Sequence, residues 1–180
     1  MSVACSPAGQ GAKLVAAAKK QIGVTLLYDP AYVKLAYPGG DVPEDRGVCT
    51  DVVIRAFRSL GTDLQRLVHE DMAHAFSKYP QQWKLTKPDP NIDHRRVPNL
   101  MRFFERAGKK IAATKDAADY KPGDIVSCII PGNLPHMMVV SDVASPVEPR
   151  RFQVIHNIGG GARLEDRLFD FEITGHFRYW

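Results

Sequence analysis

The chain has 180 residues and a formal net charge of +4, and 44% of its residues are hydrophobic and 24% charged. These values are typical of a soluble globular domain with a core of its own, and no apolar run approaches the roughly 20 residues of a membrane-spanning helix. Lys and Arg are scattered rather than gathered into a basic stripe with aromatic residues, which argues against nucleic-acid binding. We therefore expect one domain over residues 1–180, with 1–10 as a flexible N-terminus.

Apolar residues recur at helical spacing through the first part of the chain. This pattern predicts a helix over 11–23 and a second from Cys49 to Leu60, where Gly61 supplies the stop. A capping box at 62–65 opens a third helix, and a short fourth helix begins at Pro98.

After Gly108 the pattern changes to short apolar runs separated by turn residues. These runs predict strands over 125–130, 136–143, 152–156 and 175–180. Helices followed by an antiparallel meander indicate an α+β fold, in which N-terminal helices pack on one face of a small C-terminal sheet.

Cys49 stands at the start of the second predicted helix, on the same stripe as Val52 and Val53. In the first turn of a helix, unpaired N–H groups and the helix dipole favour a thiolate, which is the form that acts as a nucleophile. The alternative is a small core residue, since free cysteine is among the most buried residue types.

Two histidines lie at the ends of predicted strands: His136 follows a Pro-Gly turn, and His156 closes the next strand. Cysteine hydrolysis needs a thiolate, an imidazole that holds and returns its proton, and a third polar group that orients the imidazole. Cys49, His136 and His156 provide these groups, provided that folding brings the sulfur close to the ring of His136. Asn157 is an alternative third member, and strand register decides between it and His156.

Several motifs together resemble the NlpC-type cell-wall cysteine peptidases, a compact branch of the papain-like superfamily. They are the Tyr-Pro-Gly-Gly segment at 37–40, Cys49, the Pro-Gly-Asp turn with its strand at 122–126, His136, and the Val-Ile-His run at 154–156. A closer resemblance, over nearly the full length, is to an uncharacterised bacterial family, domain of unknown function 1287. That resemblance rests on the segments 28–30, 48–52, 91–99, 156–159 and 175–179.

The resemblance implies a papain-like NlpC-type fold and a hydrolase that cleaves amide bonds in peptidoglycan stem peptides through an acyl-enzyme. It implies Cys49 as the nucleophile, His136 as the general base and then acid, and His156 as the orienting residue. Tyr37 matches the family's oxyanion-stabilising tyrosine, which would act with the backbone N–H of Cys49. No cofactor is implied. A peptidoglycan substrate implies a periplasmic or secreted protein, although no complete signal peptide is present in the sequence.

The sequence departs from the family pattern at Asp51, which places a carboxylate beside the thiol. Asp51 either caps the helix or contacts a substrate amine, and its charge opposes thiolate formation unless Arg46 or Arg55 compensates. Arg95 and Arg96 either form a loop ion-pair network or receive a substrate carboxylate. Asp51, Arg95, Arg96 and Asn157 are therefore the candidate substrate contacts, and the pair 165–166 is open to loop capping or contact with a substrate amine.

Three other functions are compatible with these residues. Cys49, His136 and His156 are all ligand types that zinc prefers. The thiol is alternatively buried in a non-catalytic module that binds the cell wall. A third possibility is an antibacterial amidase toxin of the same chemistry, with an inhibitor or immunity protein as its partner.

Overall fold

The computed structural model describes residues 7–180, and the helices and strands below belong to that part of the chain. Its four α-helices are α1 (Pro7–Lys19), α2 (Cys49–Ser59), α3 (Leu64–Ala75) and α4 (Val97–Arg106). Part of the predicted flexible N-terminus, 1–6, lies outside the described residues, and 7–10 form the first turn of α1. No helix in the described part is long and apolar enough to cross a membrane.

The strands form a six-stranded antiparallel sheet and a two-stranded parallel pair. The pair consists of β1 (Leu27–Tyr28) and β2 (Arg46–Gly47). The larger sheet has the order β3-β8-β4-β5-β6-β7, with β3 (Lys110–Ile111), β4 (Ile125–Ile130), β5 (Leu134–Ala144), β6 (Phe152–Asn157), β7 (Ala162–Glu165) and β8 (Glu172–Phe177). This architecture confirms the predicted α+β class.

Both faces of the large sheet are covered, so its central strands are apolar on both sides. The helices pack on the face of Met137, Val139 and Ile155, where Phe57 and Phe104 are fully buried. The opposite face forms a second cluster that includes Cys128, Met138, Val140 and Val154, together with Leu168 from the loop between β7 and β8.

The start of α2 is shaped by Asp51 rather than by a capping side chain at position 48. The N–H of Val48 donates to Asp51 Oδ2 over 2.6 Å, which supplies an acceptor to a backbone group at the helix start. Gly47 precedes this turn, and a Cβ built on it would lie 2.9 Å from the Asp51 side chain. The local sequence therefore places Cys49 at the first position of a tightly held helix.

The Pro-Gly-Asp turn and the C-terminal strand, two of the family-like motifs, meet at Asp124. Its buried carboxylate accepts from His176 Nε2 over 2.7 Å, from Arg178 Nε over 2.7 Å and from the Lys121 N–H over 2.8 Å. Gly123 has φ +91°, and a Cβ there would lie 2.5 Å from the Cα of Gly11. These motifs hold β8, β4 and α1 together.

Candidate active site

The Cys49 side chain lies where β5 and β6 diverge. Successive backbone N–H groups of a strand point alternately to its two neighbouring strands. The N–H of Val140 points toward β4, where it donates to the Asp124 carbonyl group, so the N–H of Met137, three residues earlier, points toward β6. The β5–β6 ladder begins only at Val139. The Met137 N–H faces the Cys49 sulfur closely enough to lower the pKa of the thiol. Because Met137 directly follows His136, the thiol lies beside the strand that carries the candidate base.

The Cys49 thiol is only 3% exposed, and burial raises its pKa to about 12. The backbone N–H groups of Met137 and Thr50 act in the opposite direction, while the Asp51 carboxylate adds to the rise. Burial therefore outweighs the preference for a thiolate that the helix start predicts. In the resting protein at neutral pH the sulfur carries its proton.

Three side chains from successive strands form a hydrogen-bonded chain on the face of the sheet that carries Val140 and Val154, opposite the face on which the helices pack. His136 Nε2 lies 2.8 Å from His156 Nδ1, and His156 Nε2 lies 2.9 Å from Glu165 Oε2. The strand register explains why these three side chains share a face. Val140 of β5 pairs with Val154 of β6, and Val154 pairs with Glu165 of β7, so the three positions lie in one row across the sheet. Side chains two or four residues from these positions point to the same face.

Both imidazoles of this chain are buried and neutral at neutral pH. Burial, and next the neighbouring His156, lower the pKa of His136 to about 3. Burial also lowers the pKa of His156, while the hydrogen bond to Glu165 acts in the opposite direction. A neutral His136 has one nitrogen with a free lone pair and can therefore accept a proton.

Asn157, the alternative third member, points away from this chain. Its Nδ2 donates to the carbonyl groups of Leu27 over 3.2 Å and Gly47 over 3.0 Å, and its Oδ1 accepts from the Gly159 N–H over 3.2 Å. Asn157 thus joins β6 to the β1–β2 pair, and its buried amide is not available to a substrate. The residue that contacts His136 is His156.

Cys49 lines an open cleft of about 510 Å³. Its lining also includes the segment around Tyr28 and Tyr32, together with Trp83 and the start of α4. Pro135, the residue before His136, also lines the cleft. The cleft is large enough for part of a peptide chain.

The structure does not bring Tyr37 to this cleft. Its exposed ring packs edge-on against His69 of α3, with the ring centroids 5.0 Å apart. Two tyrosines, Tyr28 and Tyr32, line the cleft, and Tyr28 is close enough to the Cys49 thiol for the two groups to interact electrostatically. Burial raises the pKa of Tyr28 to about 12, with further contributions from Cys49 and Asp51, and Arg95 lowers it. The family-like Tyr-Asp-Pro segment contained this residue, but nothing in its local pattern indicated a role.

Asp51 and Arg95 form a buried ion pair with side-chain exposures of 3% and 2%. Arg95 Nε lies 3.0 Å from Asp51 Oδ1, and Arg95 Nη2 lies 2.9 Å from Asp51 Oδ2. The same guanidinium donates to the carbonyl groups of Asp29 and Ala31. These contacts engage both oxygens of Asp51 and hold the Arg95 guanidinium in place, while Arg95 also lines the cleft.

Arg95 is thus the cation that compensates the charge of Asp51, in place of Arg46 or Arg55, which the sequence suggested. Arg46 pairs with Asp45, and Arg55 pairs with Asp41. Both arginines hold other parts of the segment between β1 and α2.

Arg96, in contrast, faces the cleft with a partly exposed guanidinium. Its Cζ lies 4.1 Å from the centroid of the Trp83 ring, and one amino group donates to Asp93 Oδ1 over 3.1 Å. Asp93 is its one hydrogen-bond acceptor among the described residues. Arg96 therefore retains donors that a ligand in the cleft can use.

Within residues 7–180, no group of three or more His, Cys, Asp or Glu side chains is arranged to hold a metal ion. Cys49 and Cys128 are both free and buried, and Cys5 lies outside the described residues.

A family model described as "Domain of unknown function (DUF1287)" matches residues 15–179. The chain is 58% identical over 164 residues to "Uncharacterized protein YijF" of Escherichia coli (strain K12), covering 91% of this chain and 78% of that protein.

Among solved structures it is similar to NlpC1 and NlpC2 of Trichomonas vaginalis, with TM-scores of 0.50 and 0.52 at 14% and 16% identity. The similarity covers 100% and 95% of this chain, which spans 46% of each of those two. It confirms the expected NlpC-type papain-like fold.

Proposed function

This chain belongs to the DUF1287 family, and from the site that its fold builds we propose that it is a cysteine hydrolase with Cys49 as its nucleophile. The observation that carries the proposal is the position of the thiol: Cys49 is the first residue of α2, it lines an open cleft, and its sulfur is faced by the N–H of Met137, the residue after His136. The chain from His136 through His156 to Glu165 supplies the base and its support.

In the proposed reaction, the Cys49 sulfur attacks the carbonyl carbon of an amide while His136 accepts the thiol proton. His136 then gives this proton to the leaving amine as the C–N bond breaks, which leaves an acyl group on sulfur. Water, deprotonated by the same imidazole, displaces the sulfur and releases the acid. Because the resting thiol and imidazole are both neutral, proton transfer accompanies attack rather than preceding it.

The negative oxygen that develops in this reaction needs donors beside the sulfur. The backbone N–H of Cys49, in the unpaired first turn of α2, is one candidate. We assign the second donor to the hydroxyl of Tyr28, which lines the cleft, in place of Tyr37.

We propose amide bonds in peptidoglycan stem peptides as the substrate, and a periplasmic or secreted location. The NlpC-type fold and the net positive charge of the chain, which suits an anionic polymer, support this choice. Mass spectrometry of the products from whole purified peptidoglycan, with the Cys49→Ala variant as the blank, tests it. We expect fragments with one amide bond hydrolysed from the wild type only. Folded wild-type protein that releases no such fragment would contradict the proposal.

The two histidines should differ in how strongly they affect turnover. His136→Ala removes the proton acceptor, and we expect a loss of about 10³-fold or more in kcat. His156→Ala removes only the orienting group and should leave residual turnover. Initial rates measured with both variants check this order, and equal losses would contradict the separate roles.

Arg96 is proposed to receive a carboxylate of the substrate. Arg96→Met retains an apolar stem against Trp83 but removes the charged donors. We expect KM to rise about tenfold with kcat nearly unchanged, as for the loss of one charge-assisted hydrogen bond of about 1.5 kcal/mol. Kinetics on a stem peptide and on its carboxamide measure this. The contribution of Arg96 should disappear with the carboxamide, and an equal KM change for both peptides would refute the contact. Arg66→Met, in the exposed pair with Glu70, is the control.

A further inference from the structure

We propose that Glu165 is a positioning residue: it fixes the tautomers of His156 and His136 so that Nδ1 of His136 is the nitrogen left free to accept a proton. The consequence for catalysis rests on the proposed function. The tautomers themselves are a property of the folded protein and can be measured without a substrate.

The geometry comes from the pairing of β6 with β7. Glu165 lies opposite Val154 in this ladder, so it is a diagonal neighbour of His156 on the same face of the sheet. Its Oε2 is 2.9 Å from His156 Nε2. His156 is completely buried, and its other nitrogen is 2.8 Å from His136 Nε2. Each ring nitrogen of His156 therefore faces one partner.

The direction of the hydrogen bonds follows from the carboxylate. An ionised carboxylate can only accept, so His156 Nε2 must carry the hydrogen. A neutral imidazole has one N–H, which leaves His156 Nδ1 as an acceptor. His136 Nε2 must then be the donor, and Nδ1 of His136 retains its lone pair. Burial lowers the pKa of both imidazoles, which is consistent with the neutral forms that this reasoning requires.

Two charged side chains, Arg167 and Asp170, lie close to Glu165. Arg167 Nε lies 4.0 Å from Glu165 Oε2, and the same nitrogen lies 3.8 Å from Asp170 Oδ2. Glu165 also remains partly exposed, with 29% of its side chain accessible. The neighbouring Asp166 has a different role, because it accepts from Ser145 and Arg151.

The same arrangement supports the charge that forms during the reaction. When His136 accepts the thiol proton at Nδ1, its Nε2–H continues to donate to His156. The positive charge on the imidazolium is then stabilised through His156 by the carboxylate, and no proton moves to Glu165. Without the carboxylate, nothing selects this order of donors over the reverse order, in which Nδ1 of His136 carries a hydrogen and cannot act as a base.

The test compares wild-type protein with Glu165→Gln, labelled with ¹⁵N in the histidine rings. Long-range ¹H–¹⁵N spectra at pH 7 report which ring nitrogen carries the hydrogen. We expect the Nε2–H tautomer for both His136 and His156 in the wild type, and a mixture for His136 in the variant, since an amide can donate as well as accept. Glu172→Gln is the same change at an exposed position of β8, where the side chain has no hydrogen bond or ion pair among the described residues, and it should leave both tautomers unchanged.

Hydrolysis assays provide the second measurement. Glu165→Gln should lower kcat about tenfold to a hundredfold, as for other groups that orient a functional imidazole, with KM and the midpoint of thermal unfolding nearly unchanged. A wild-type His136 with its hydrogen on Nδ1 would overturn the inference, as would a Glu165→Gln protein with wild-type tautomers. If the wild type hydrolyses nothing, the proposed function is wrong, and the tautomers alone then decide the role of Glu165.

Discussion

Cys49→Ala is expected to lower the release of fragments from purified peptidoglycan by about 10³-fold or more while leaving the fold intact. The loss is large because no acyl-enzyme can form without the sulfur. Catalytic residues that act together lose most of their combined effect on the rate when one of them is removed. The fold should persist because the change removes one buried atom from the first turn of α2, whose capping bond from Val48 to Asp51 does not involve the side chain of Cys49. Circular dichroism and the midpoint of thermal unfolding check the fold, and fragment release measures the activity.

Cys128→Ala is the matched control for this experiment. Cys128 is the second free and buried cysteine among the described residues, and it lies directly opposite His136 in the β4–β5 ladder. The Cys128→Ala variant therefore also shows how much a packing change beside the imidazole affects turnover. We expect it to lower the rate of fragment release severalfold at most. Fragment release by Cys49→Ala that equals the wild type would end the case for a thiol hydrolase.

Arg95→Met is expected to destabilise the protein by about 3–5 kcal/mol, the largest effect on stability that we foresee. The substitution leaves the Asp51 carboxylate buried without a cation, and it removes the donors to the carbonyl groups of Asp29 and Ala31. For a chain of this length, the loss corresponds to a fall of about 10 °C in the midpoint of thermal unfolding. Urea denaturation measures the change in the free energy of unfolding.

Two variants test whether the buried charge causes this loss. Arg66→Met breaks an exposed pair with Glu70 and should change stability by no more than about 0.5 kcal/mol. Adding Asp51→Asn to Arg95→Met should restore part of the loss, because a neutral amide needs no cation and its oxygen can still accept from the Val48 N–H. A loss as small for Arg95→Met as for Arg66→Met would show that the pair contributes little.

Local sequence patterns predicted the elements that carry the site. Helical spacing of apolar residues, followed by Gly61, placed Cys49 at the first residue of α2. Apolar runs between turns placed His136 in β5 and His156 in β6. These features depend on residues only a few positions apart, so their signal is present in any short window of the chain.

The partners of these residues depended on tertiary structure. Arg95 is 44 residues from Asp51, and no periodicity links the two. Tyr28 rather than Tyr37 reaches the cleft, because the β1–β2 pair places it there and α3 takes the ring of Tyr37. Glu165 lies in the four-residue β7, where polar and apolar residues are too few to predict a strand.

The sequence by itself therefore determined which groups of this protein are available for chemistry and which element presents each of them. The tertiary structure decided which group faces which, and with what ionisation. The thiol illustrates the division, because the start of a helix favours a thiolate whereas packing against β5 removes water and raises the pKa of Cys49 to about 12. Desolvation and long-range pairing depend on how distant segments assemble, and a local pattern carries no information about either.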